Sequence, residues 1–191
     1  MVVATRDAAV RLLRAVKALH SWCVSARANK MFCANVKTTS LNSESRLWDR
    51  VCHGDFIDCY TVAADATPRQ AAEIITSFPG WAQGLLVIRR VVTAPFGLSN
   101  DGPAADDKLG PFPVELENDN EIIAGFDDKH LDFRVCVFSR DGEVSLATWV
   151  HPNNFGGRAY LAAIMPFHIL IAKDALRRVA SASLAHEAQA L

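Results

Sequence analysis

His130, Asp132 and Arg134 alternate within the run EIIAGFDDKHLDFR, and residue types at that spacing could carry chemistry. Successive side chains of an extended strand point to opposite faces, so these three would stack on one surface. An imidazole there could exchange protons near neutral pH, with the carboxylate of Asp132 as its partner. The guanidinium of Arg134 could bind a carboxylate or phosphate bidentately, with Asp132 fixing its fork. The same alternation also describes the wet face of an ordinary antiparallel sheet, where a surface Asp–Arg pair contributes little. From alternation alone the wet face is the favoured reading.

Other reactive groups are more scattered. His151 precedes Pro152-Asn153-Asn154, and His168 falls on the apolar face of a C-terminal helical pattern, where a histidine is ordinarily a hydrogen-bonded core residue. No two histidines have a spacing suited to a metal, so no metal is assigned. No nucleophile elbow, phosphate loop or dinucleotide fingerprint is found. Gly156-Gly157 before Arg158 could bring backbone close to an anion, and a tight strand-to-helix turn explains the pair equally well. The five cysteines, Cys23, Cys33, Cys52, Cys59 and Cys136, form no C-x-x-C pair. An odd count with no export signal is expected of reduced thiols in a cytosol, and Cys59 and Cys136 read as small core residues.

The elements that would position these groups follow from periodicity. FIDCYTV, residues 56–62, reads as a strand with Phe56, Asp58, Tyr60 and Val62 on one face. Asp58 is an acid among apolar neighbours; the plain alternative is an edge position facing solvent. Thr67-Pro68-Arg69-Gln70 has the marks of a capped helix start, with Ala71, Ile74, Ile75 and Phe78 as its buried stripe. A second short helix is expected from Trp81 to just before Pro95, with Arg89 and Arg90 flanking its stripe. After a polar loop over 99–111, four strands are predicted at 112–117, 121–126, 130–139 and 143–151. Asp141-Gly142 is a strong hairpin signal, and the short connections favour an antiparallel meander. A long helix is predicted over about 157–184, with Pro166 kinking or dividing it.

The order is that of an α+β domain. A curved antiparallel sheet wrapped around the terminal helix would bury both and could leave a cavity between them. Residues 1–45 read as a basic amphipathic extension and linker, and residues 46–191 as a single domain. The extension sets Arg6, Arg11, Arg14, Lys17, Arg27 and Lys30 against Asp7, as in a transit peptide or a membrane-surface helix. It is expected to be dispensable, with Met31 as an alternative start.

At 191 residues, 50% hydrophobic and 21% charged, the composition is that of an ordinary globular chain. A formal net charge of -1 gives no field that would advertise nucleic acid. No uninterrupted apolar run reaches the roughly 18 residues that a transmembrane span needs.

Four pieces of the chain together resemble a known family: GDFIDCYTV, FPGWAQGLLVIRRVVTAPFGL, FPVELENDNEIIAGFDDKHLDFRVCVF and HPNNFGGRAYLAAIMPFH. They are similar to the bacterial family catalogued as domain of unknown function 2867. That resemblance implies a helix-grip domain of the START and polyketide-cyclase type. It makes Asp58, Trp81, Arg90, His130, Asp132, Arg134, Tyr160 and His168 family-like positions without saying which touch a ligand. Of these, Asp58, Trp81, Arg90, Arg134, Tyr160 and His168 are expected to bind ligand, and His130 and Asp132 to form the hypothetical catalytic pair. Members also occur behind nicotinamide-binding domains; none is recognisable here, so no cofactor is expected. The expected function is binding of a small apolar molecule with an acidic or polar end, Arg134 being its anchor. The rivals are a cofactor-independent cyclase, dehydratase or isomerase using His130 and Asp132, and an interaction module without chemistry. A cytoplasmic location is expected, with the oligomeric state left open.

Overall fold

The structure, a computed structural model, describes residues 34–81 and 102–189. The chain divides into two compact units, one of which joins Ala34–Ser77 to Leu98–Leu191 and carries every element below. The other joins Met1–Cys33 to Phe78–Gly97, and only Phe78–Trp81 of it are described. The basic extension, Arg90 and the expected second short helix beyond Trp81 lie outside the described residues.

Seven strands form one antiparallel sheet: β1 (Lys37–Thr38), β2 (Phe56–Ala63), β3 (Lys108–Leu109), β4 (Phe112–Glu117), β5 (Glu121–Asp127), β6 (Leu131–Arg140) and β7 (Glu143–Pro152). Their order is β1-β2-β7-β6-β5-β4-β3. The predicted meander β4–β7 is present, turning between β6 and β7 on Asp141 and Gly142, both at positive φ. The two-residue strands β1 and β3 are additions to the five that periodicity reveals. Strands so short leave no alternation to read.

Helix α1 (Pro68–Thr76) opens with the expected capping box between Thr67 and Gln70. Helix α2 (Phe155–Gln189) runs through Pro166 without dividing, which leaves the kink of the two outcomes expected there. Pro166 and Ala162 are both exposed, so the carbonyl that proline leaves unpaired lies on the helix's outward side. Among the described residues α2 is the one helix long and apolar enough to cross a membrane by length and composition. A core helix shares those features, and the C-terminal half of α2 is buried through Ala172, Ala175, Leu176, Val179 and Ala180.

Both faces of the sheet are covered. On the inner face Tyr60, Val62, Ile122, Ala124, Val137, Val144 and Leu146 pack with α1 and α2. The outer face, expected to be wet, instead carries a second apolar cluster: Cys59, Ile123, Cys136, Ala147 and Trp149 under Leu41 and Leu47. The covering stretch, read from sequence as a polar linker, contains a 3-10 turn at Arg46–Arg50 capped by Ser45. Buried Glu121 pins it, accepting from the Ser45 hydroxyl and the Arg46 amide. Cys136 donates to the same carboxylate, and burial together with Glu121's charge pushes its thiol pKa up.

Candidate functional site

Asp58 is on β2, one strand in from the edge, and faces α2 rather than solvent. Its carboxylate meets His168 of α2, whose Nε2 lies 3.0 and 3.3 Å from the two oxygens. Only 12% of the Asp58 side chain and 23% of His168 are exposed. The Phe56 ring stands edge-on to the imidazole at 6.3 Å between centroids. Two residues along the same face is Tyr60; burial, then the charge of Asp58 and a hydrogen bond with it, push its phenol up to about 12. Tyr60 therefore stays protonated at any ordinary pH. The Lys173 ammonium stands 5.3 Å from the centre of the Tyr60 ring. Thr148 is the cross-strand neighbour of Asp58 and shares its face. These five polar groups form an island on an otherwise apolar inner face, between Phe56 and Val150 at one end and Leu146 and Val62 at the other.

The run that drew attention in the sequence lies away from this island. His130 precedes β6, its Nδ1 within 3.1 Å of Asn154 Nδ2. Asp132 accepts from the Asp128 amide at 3.2 Å and from Asn153 Nδ2 at 2.9 Å. Asn153 also donates its amide to the His130 carbonyl, and Asn154 donates to the Lys129 carbonyl. Gly157 packs so closely on this turn that a Cβ would overlap the His130 carbonyl oxygen. The β5–β6 turn and the β7–α2 connection are thus knitted into one joint. His130 and Asp132 both belong to it, and Asn153 bonds to each, to the carbonyl of one and the carboxylate of the other.

Arg134 points to the outer face, away from α2, and is 2% exposed. It bridges Glu115 on β4 at 2.6 Å and Asp127 on β5 at 2.8 Å, and donates to the Phe133 carbonyl. Burial pulls its pKa down, and the two carboxylates outweigh that and raise it. Asp132, expected to fix its fork, is not its ion-pair partner. The side chain crosses Gly125, where a Cβ would strike the Phe133 carbonyl and Arg134 Cδ. With its fork so engaged, Arg134 is a strut across three strands rather than an open anion anchor.

A second aspartate–histidine pair lies on the outer face. Asp55, its side chain 1% exposed, accepts from Trp149 Nε1 at 2.7 Å and from the Cys52 amide at 2.8 Å. His151 Nδ1 lies 2.6 Å from its other oxygen, and the imidazole is 44% exposed. Burial pushes the Asp55 carboxyl up, but the donors from His151, Cys52 and Trp149 outweigh it and hold it below the usual 3.8. Tyr160 is half-buried on α2, and Trp81 belongs to the other unit.

Residues 52–175 match the family described as "Protein of unknown function (DUF2867)". The chain belongs to that family. Neither the curated proteins nor the solved structures yielded a match to it. The family region spans both aspartate–histidine pairs and Lys173, so each is carried by the shared part of the chain.

Sequence reasoning found Asp58 and His168 but not their pairing, because 110 residues separate them. It passed over Asp55, Thr148 and Lys173. Asp55 lies ahead of its strand and shows no alternation, and Lys173 resembles any solvated helix lysine. The signal within reach was the phase of α2: a period of 3.6 places His168 on the same face as Ala172 and Leu176, facing a strand that carries one acid. Among the described residues no group of three or more His, Cys, Asp or Glu side chains is placed to hold a metal.

Proposed function

We propose that this family member binds a small, largely apolar molecule on the inner face of the sheet, with the molecule's anionic or polar end at Lys173. The observation that carries the reading is the Asp58–His168 pair, set with Tyr60, Thr148 and Lys173 in apolar surroundings. Small-molecule sites are mostly apolar with a few convergent polar groups that fix orientation. Burying such groups costs free energy, and a core with no ligand to orient is more cheaply built from apolar residues. Lys173 takes the anchoring place expected of Arg134, since Arg134 is committed to two carboxylates on the opposite face.

The test is displacement of a fluorescent anionic probe by dodecanoate. Wild-type protein should bind dodecanoate saturably, and Lys173→Ala should weaken it about tenfold, the loss of one charged hydrogen bond. Arg134→Lys, if folded, should bind as wild type. Absence of saturable binding, or equal affinity in Lys173→Ala, would overturn the assignment.

A further inference from the structure

We propose that the molecule bound at this site is a carbonyl compound with a C–H bond beside the carbonyl, and that His168 removes and returns that proton. The proposal rests on the binding reading above and adds a reaction to it.

The geometry supplies a base. Asp58 faces His168 Nε2 through both its oxygens, at 3.0 and 3.3 Å. A carboxylate at one ring nitrogen favours the tautomer protonated there and leaves the lone pair on the other. Nδ1 therefore carries the lone pair, and it makes no hydrogen bond with the described residues. Asp58 also stabilises the imidazolium formed when Nδ1 takes a proton, because the pair is shielded from water on both partners. Helix α2 carries the imidazole and β2 the carboxylate, so the base is preorganised.

The surroundings supply oxygen stabilisation. Thr148 and Lys173 are O–H and N–H donors on this face, where charge developing on a carbonyl oxygen would be met by a hydrogen bond and an ammonium. The buried thiols Cys59 and Cys136 lie on the opposite face, with Cys136 committed to Glu121. The inner-face pair thus offers acid–base chemistry, with both buried thiols on the other side of the sheet. In the step that fits, the C–H electron pair becomes a C=C bond and the carbonyl π pair moves to oxygen, giving an enolate. The proton goes to His168 Nδ1. Its return to the same carbon gives exchange, and its return to another carbon of the conjugated system gives an isomer. No electrons are gained or lost, and the imidazole is regenerated.

The experiment uses 4-oxodecanoate, which joins an apolar tail, a carboxylate and an isolated ketone. Proton NMR in deuterium oxide follows loss of signal at the two carbons flanking the ketone, with the full chain present. Wild-type protein should speed exchange at least about a hundredfold over buffer, the low end of what a positioned base contributes. His168→Gln should bind 4-oxodecanoate in the displacement assay yet exchange it at the buffer rate. Asp58→Asn should lie between and serves if His168→Gln does not fold. Saturable binding without faster exchange in the wild type overturns the proton-transfer proposal and leaves the binding reading standing. Unchanged exchange in His168→Gln removes His168 as the base. Failure of the wild type to bind either acid overturns both readings.

Discussion

Asp55 and Asp58 sit three residues apart on one segment and hold histidines on opposite faces of the sheet, His151 outside and His168 inside. The two pairs differ in solvent access. Asp55 is sealed and its histidine half-open, whereas both members of the inner pair are mostly covered. The outer pair is read most directly as a clasp holding the Cys52–Asp55 turn onto β7.

Asp55 should make stability depend on pH in the acid range. Its folded-state pKa lies below the ordinary 3.8, so its contribution is fully present above that value. That contribution is lost as pH falls through the lower folded-state value. Asp55→Asn should flatten this acid limb of a denaturation-versus-pH series. At neutral pH Asp55→Ala should cost about 1–3 kcal/mol, because the Trp149 indole N–H and the Cys52 amide lose their acceptor. An Asp55→Asn protein with the wild-type acid limb would contradict the account.

Tyr60 should titrate near 12, which near-ultraviolet absorbance can follow. The chain has two tyrosines, so the Tyr160→Phe variant isolates the signal. Because folding raises this pKa, the associated stability is complete below about 10 and is lost as pH rises towards 12. Asp58→Asn removes the charge of Asp58 and should lower the midpoint. A midpoint near 10 in the folded wild type would count against a buried phenol beside Asp58.

Much of the fold is legible in the sequence, and the reason is local. The capping box at Thr67, the Asp141-Gly142 turn and the alternation of β4 to β7 each depend on residues within a few positions of one another. What could not be read depends on distance. Alternation sorted Arg134 from Val135 and Val137, but it could not say which face α2 would cover. The outer face was taken as wet because Leu41 and Leu47, which dry it, sit in a stretch rich in Ser, Thr and Asn. His130 and Asp132 drew attention as reactive types, yet turns favour the same polar residues for their hydrogen bonds to backbone.

Arg134→Ala should destabilise by about 1–3 kcal/mol. The figure is below that for a fully buried pair, because water can still reach Glu115 and Asp127 once the guanidinium is gone. Arg134→Lys should recover only part of the loss, since a single ammonium cannot reproduce the fork. Gly125→Ala should cost about 2 kcal/mol or more, as the new methyl group meets backbone that cannot turn aside. Urea denaturation of the three variants beside wild type checks the order; a silent Gly125→Ala would mean the strands are not so close.

Leu176→Asp tests the grip of sheet on helix. Leu176 is fully buried in α2, and an unpaired charge there costs several kcal/mol, enough to unfold a domain of ordinary stability. Circular dichroism showing a folded protein of near wild-type melting temperature would mean α2 does not pack as described.

The place of β2 in the sheet has a consequence for how the protein assembles. β4 to β7 pair with their neighbours in sequence, and such local pairings close at small entropic cost. β2 must instead find β7 across a long loop, matching Phe56 to Val150 and Val62 to Val144. Asp58 rides on that strand and Asp55 just ahead of it, while both histidines belong to the C-terminal part of the chain. A folding intermediate holding only the meander and α2 would therefore carry His151 and His168 without either carboxylate. Docking of one strand would then create both pairs in a single kinetic event, so neither can form before the last long-range contact of the sheet is made.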